Sequence, residues 1–162
     1  MKVKVSIVED DTPARNILTE WIRGENGFKC VGVHENAETA ITALPEEKPS
    51  VVLMDINMPG MSGIECVRRL KPLMMETQFL MLTVYEDPDH IFKALSFGAT
   101  GYLLKRTPRA EVIAAIRDGW SRVRGGRFFA AAGPGRMGPL YRFLPMQTRD
   151  HLQDQYWLAL EP

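Results

Sequence analysis

Short apolar runs rich in β-branched residues recur through the first two thirds of the chain, at 3–8, 28–33, 51–54, 79–82 and 102–104. Each is too short for a buried helix, and each is separated from the next by residues with helical spacing. A first helix opens at Thr12 with Pro13 in its first turn, and Ile17, Leu18, Trp21 and Ile22 share one of its faces. Further helical patterns lie over 37–44, 64–73, 91–97 and 110–118, and Gly98 is suited to a left-handed helix end. Strands alternating with helices at this spacing imply parallel βαβ units, because a parallel strand needs a long crossover. Near-continuous apolar strands fit a sheet covered on both faces. The expectation is a doubly wound α/β domain with five strands and five helices.

In such a sheet, ligands bind beyond the carboxyl ends of the strands, where the strand order reverses. The polar residues at those ends are Glu9, Asp10 and Asp11 after strand one, Asp55 in "VVLMDINMPGMSG" after strand three, Thr83 after strand four, and Tyr102 on strand five with Lys105 just after it. Carboxylates crowded at one edge repel each other unless a cation sits among them. No His or Cys is placed to join them, and an oxygen-only, water-accessible ligand set suits Mg²⁺, with Mn²⁺ as a substitute, better than zinc. A lysine ammonium and a threonine hydroxyl beside metal-bound carboxylates make a cradle for one phosphoryl group.

The segments "SIVEDD", "VVLMDINMPGMSGIE", "MLTVYED" and "GATGYLLKRT" occur in this order over residues 3 to 118, and together they resemble the receiver domain of bacterial two-component response regulators. "LLKRTP" is similar to a variant found in the LuxR-type (NarL/FixJ) subfamily. The resemblance implies a flavodoxin-like sheet of order 2-1-3-4-5. It implies Asp55 as phosphoacceptor from a sensor histidine kinase. For Mg²⁺ it implies Asp10 as a direct ligand, Glu9 through water, Asp55, and the backbone carbonyl of Asn57. Thr83 and Lys105 would bind phosphoryl oxygens, Tyr102 would be the switch aromatic, and Asn57 and Tyr85 would tune dephosphorylation. Asp11 falls outside the metal set and caps the first helix. Many receivers follow the lysine with a proline in a cis peptide; here Arg106 follows, and no cis bond is assumed. The family's activity is its own Mg-dependent phosphorylation and dephosphorylation, not turnover of a metabolite.

The chain after 118 changes character. Residues 119–162 hold six Arg against three acids, no Lys, six Gly and four Pro, whereas 1–118 hold 14 basic and 17 acidic residues. The expected division is a receiver over 1–118 and an irregular or partly disordered tail over 119–162. LuxR-type regulators continue into a helix-turn-helix domain; the tail is too short for one and shows no recognition-helix pattern. A natural divergent tail and a truncated or frame-altered end both fit its composition.

The remaining features are read as structural. Cys30 and Cys66 lack metal or redox spacing and read as reduced core thiols. His34, His90 and His151 read as surface or helix-end residues. Met58 and Met61 read as packing, Pro59 and Gly60 as a turn, and Gly63 as the point where the chain re-enters a helix. No apolar run is long enough to span a bilayer and no signal peptide opens the chain, so a cytoplasmic location is expected. Three functions are compatible: a receiver controlling transcription, with DNA involved only through an output domain of the full-length protein; a stand-alone receiver or phosphorelay intermediate acting by protein contact; and a metal-dependent phosphohydrolase. The last wants a second acid two residues beyond the nucleophile, and Asn57 occupies that position. A homodimer is compatible with the first two.

Overall fold

The computed structural model describes residues 1–84 and 88–124. In chain order they form β1 (Val3–Val8), α1 (Thr12–Arg23), β2 (Phe28–His34), α2 (Ala37–Glu47), β3 (Val51–Asp55), α3 (Gly63–Leu70), β4 (Gln78–Thr83), α4 (Pro88–Ser96), β5 (Gly101–Leu104) and α5 (Arg109–Arg124). The strands pair in parallel in the order β2-β1-β3-β4-β5. Winding therefore reverses between β1 and β3, and the crevice at their carboxyl ends is where a ligand is expected.

The two-residue period of the strands sorts their side chains into two apolar layers. Val8, Val52, Met54, Phe79, Met81 and Tyr102 pack with residues of α2, α3 and α4. Val5, Ile7, Val51, Leu53, Leu80 and Leu103 pack with residues of α1 and α5. Both layers exclude water from the strands that deliver Asp55 and Thr83, and burial of each such large side chain stabilises the fold by roughly 1.5–3 kcal/mol. The scaffold under the strand ends is thus rigid.

The start of α1 matches the sequence reading, and other helix ends differ from it in instructive ways. Asp11 is the N-cap of α1, accepting the Ala14 N–H at 2.9 Å. Leu18 and Ile22 face the core and Trp21 packs against it, but Ile17 is 47% exposed and belongs to the rim of that face. α3 stops at Leu70, not Leu73: Lys71 keeps helical backbone and its N–H donates to the Val67 carbonyl, but Pro72 has no N–H to continue the ladder, and the chain turns, with the Leu73 and Met74 N–H groups donating to the Leu70 carbonyl. α2 runs past Pro45, and α5 runs through Gly119 to Arg124. One interior glycine costs only about 1 kcal/mol, and the Glu111 to Ile116 stretch that precedes it is already packed on the sheet through Val112, Ile113 and Ile116. The tail from 125 onward lies outside the described residues. Gly98 does take a positive φ, +105°. Among the described residues no peptide bond is cis, and no helix is long and apolar enough to cross a membrane.

Candidate functional site

The strand ends converge as the sequence pattern suggests. Asp55 closes β3 and is 1% exposed; Glu9, just beyond β1, is fully buried. The Glu9 backbone is held by its N–H donating to the His34 carbonyl at 3.0 Å. Lys105 follows β5, and its N–H donates to the Thr83 carbonyl at 2.8 Å, extending the β4–β5 ladder by one bond. From that anchor the Lys105 ammonium donates to Glu9 Oε1 at 2.8 Å and Asp55 Oδ2 at 3.1 Å. One carboxylate oxygen each from Glu9, Asp10 and Asp55 lies within 4.8 Å of the others. Asn57 donates its backbone N–H to Asp55 Oδ1 at 3.2 Å. Asp11 stands aside: its carboxylate caps α1, and only its N–H reaches the cluster, donating to Glu9 Oε1 at 3.1 Å.

Thr83 is buried at the end of β4. Tyr102 is not in the acidic cluster; its ring is buried in the apolar layer that also holds Ile91 and Ala94 of α4. Tyr85 lies outside the described residues.

Three carboxylates face one ammonium, and the electrostatics follow. Burial, reinforced by the charge of Glu9, pushes the Asp55 carboxyl up to about 7, against the pull of its hydrogen bond from Lys105. Burial pulls the Lys105 ammonium down, but its bonds to Glu9 and Asp55 outweigh this and its pKa ends above the ordinary lysine value. Glu9 Oε2 is buried with no hydrogen-bond partner. A buried, unpartnered carboxylate oxygen carries a desolvation cost. A hard divalent cation answers both the excess negative charge and the orphan oxygen, and the donor set is oxygen only. The residues fit such an ion.

Local sequence explains why the loop after β3 can lie so close. A Cβ on Gly63 would stand 1.9 Å from the Asp55 carbonyl oxygen, so only glycine allows α3 to begin there. The Gly63 N–H donates to the Ile56 carbonyl at 2.9 Å, closing the loop, and Ser62 caps α3 through the Glu65 N–H. Gly60 supplies a φ of +78° within the turn.

Several supporting residues gave no sequence signal. Arg15 Nη1 donates to the backbone carbonyls of Glu9 at 2.8 Å and Asp10 at 3.1 Å, fixing the acidic turn. His34 is not a surface residue: its side chain is only 10% exposed, with Nε2 2.9 Å from Glu47 Oε1, while Ser6 Oγ donates to the other Glu47 oxygen at 2.7 Å. A Cβ at Gly32 would collide with that Glu47 carboxylate. The partner of His34 is 13 residues away on another element, a tertiary contact that no local pattern encodes. Cys30 and Cys66 are free thiols, and burial pushes Cys66 up to about 12, which keeps it protonated and inert.

This sheet, with acids and a lysine gathered at its reversal point, defines a receiver-type α/β domain. Residues 5–117 match the family model described as response regulator receiver domain, and the chain belongs to that family. It is 33% identical over 115 residues to the response regulator GacA of Pseudomonas syringae pv. syringae, covering 71% of this chain and 54% of that one. It is 31% identical over 116 residues to the transcriptional regulatory protein DegU of Brevibacillus brevis, covering 72% and 49%. The chain thus spans about half the length of these curated relatives. Among solved structures it is similar to the signal receiver domain of the response regulator NarL from Mycobacterium tuberculosis, with TM-score 0.71, 27% identity, and coverage of 78% of this chain and 98% of that one.

Proposed function

We propose that this chain is a phosphorylatable signal receiver of a two-component system, taking a phosphoryl group from a sensor histidine kinase on Asp55 and switching conformation to control an output, natively transcription. The observation that carries the reading is the Asp55 carboxylate itself. It is buried at the reversal point of the sheet, bonded to Lys105, and crowded by Glu9 and Asp10. Neither a helix cap nor a packing role requires that arrangement.

Asp10 and Asp55 would bind Mg²⁺ directly, with Glu9 acting through water and the Asn57 carbonyl completing the protein ligands; bound there, the ion would neutralise phosphoryl oxygens. An Asp55 oxygen attacks phosphorus, and the bond to the kinase imidazole nitrogen breaks as the bond to oxygen forms. Lys105, already charged and within bonding distance of Asp55, pairs with one phosphoryl oxygen, and the Thr83 hydroxyl donates to another. Drawing Thr83 toward the phosphoryl group changes the packing that Tyr102 meets, and the face of α4, β5 and α5 carries the change to a partner. Asn57, beside Asp55, and Tyr85, by the family resemblance alone, set how fast water reaches the acyl phosphate. The partners are a cytoplasmic kinase domain and an output partner or second copy of the chain.

Incubation of the full chain with Mg²⁺ and acetyl phosphate should add one phosphoryl group, read by intact mass and mapped to Asp55. A chelator should abolish the adduct. An adduct that persists in Asp55→Ala, or steady release of phosphate from many small phosphoesters, would overturn the reading.

A further inference from the structure

The loop between β3 and α3 carries Asn57 beside the acidic cluster, and its far limb is tied to an element outside the site. Glu38, in the first turn of α2, accepts the Met61 backbone N–H through Oε1 at 2.8 Å. Gly60 makes this possible: a Cβ there would stand 2.5 Å from the same oxygen. That N–H holds the Glu38 carboxyl below its usual range even though the side chain is exposed. Counting the bonds along the loop, Asn57 N–H is held by Asp55 at one end, Gly63 N–H by Ile56 at the other, and Met61 N–H by Glu38 between them. Glu38 is the one side chain from a different element in this set.

We propose that Glu38 is a positioning residue for the phosphoacceptor site, holding Met61 so that the loop keeps the backbone carbonyl of Asn57 turned toward the cation gathered by Glu9, Asp10 and Asp55. This rests on the reading of Asp55 and Asn57 given above. The physical reason is entropic: a loop fixed before the ion arrives does not have to be ordered on binding, and each residue left to be ordered weakens it. A hydrogen bond to an exposed carboxylate is modest, so the effect is a tuning one.

The test uses the full chain with Glu38→Ala, Glu38→Gln and, as a control on the underlying reading, Asp55→Ala. Mg²⁺ affinity is measured by calorimetry, amide exchange at Met61 by NMR, and phosphorylation by acetyl phosphate as a function of Mg²⁺. Glu38→Ala should bind Mg²⁺ about five-fold more weakly, in keeping with one lost hydrogen bond, and should exchange Met61 faster. Its phosphorylation rate should recover at saturating Mg²⁺. Glu38→Gln keeps an acceptor oxygen and should stay close to the natural chain. Unchanged Mg²⁺ affinity in Glu38→Ala would overturn the proposal, and so would Glu38→Gln as weak as Glu38→Ala, which would make the charge and not the tether responsible. If the natural chain binds no Mg²⁺, or Asp55→Ala is phosphorylated as well as the natural chain, the site reading itself fails and the proposal with it.

Discussion

Asp55 and Glu65 stand on consecutive elements of the chain and meet opposite treatment. Glu65, exposed in α3, accepts hydrogen bonds from Arg68 Nε and Nη2 and from Arg69 Nε, each at 2.7 Å, and these pull its carboxyl down to about 2. Asp55, buried and facing Glu9 and Asp10 with Lys105 as cation, is pushed up to about 7. The same chemical group is satisfied in one place and left short of positive charge in the other. Surface ion pairs complete themselves within the chain and contribute little. A buried cluster with surplus acid is tolerated where something from outside completes it.

The largest effect follows from removing the ammonium that pairs with the Glu9 and Asp55 carboxylates. Lys105→Ala should lower the rate of phosphorylation by acetyl phosphate about a hundred-fold, the scale of losing one charge-stabilising donor at a reacting group, measured by the appearance of the intact-mass adduct. A rate near that of the natural chain would break the comparison, since Lys105 would then be no more than a surface pair.

A second effect appears in stability. The folded pKa of Asp55 lies above its unfolded value near 3.8. The folded state therefore binds the extra proton between about 4 and 7, and stability from this group falls as pH rises through that window. Replacing Asp55 with Asn removes the penalty. In chelator-treated protein, Asp55→Asn should gain stability at pH 8, up to about 4 kcal/mol for a carboxyl moved from 3.8 to about 7, and almost nothing at pH 4, checked by urea unfolding at both values. Glu65→Gln should have the least effect. It should leave phosphorylation unchanged, and its small contribution to stability, complete above the unfolded value near 4.5, should fade only as pH drops toward 2.

The strands and Asp55 were legible because their signals are local: apolar runs of the right length, ended by a carboxylate and a Pro-Gly turn. The meeting of Glu9, Asp10, Asp55 and Lys105 followed from the parallel pattern, whereas the strand order came from the family resemblance alone. Helix ends were less legible. Leu73 continues the apolar spacing of α3, yet Pro72 interrupts its hydrogen-bond ladder, and α5 continues through Gly119, beyond the pattern that ends at 118. Ile17 shows that a face drawn from spacing is wider than the face that is buried. Arg15, Glu38 and the Ser6–Glu47–His34 bridge were invisible for one shared reason. Their partners are backbone groups or side chains brought close only by the fold, and nothing about a glutamate in the first turn of a helix says which distant N–H it will find.

The central claim is that the acidic cluster is incomplete until a cation joins it, and carbon-detected NMR titration of the side-chain carboxyls tests it most directly. In metal-free protein, Asp55 should titrate near 7 and Glu65 near 2 in the same sample, with Mg²⁺ drawing the Asp55 midpoint down and leaving Glu65 where it was. An Asp55 that titrates near 3.8 without metal, indifferent to Mg²⁺, would contradict it.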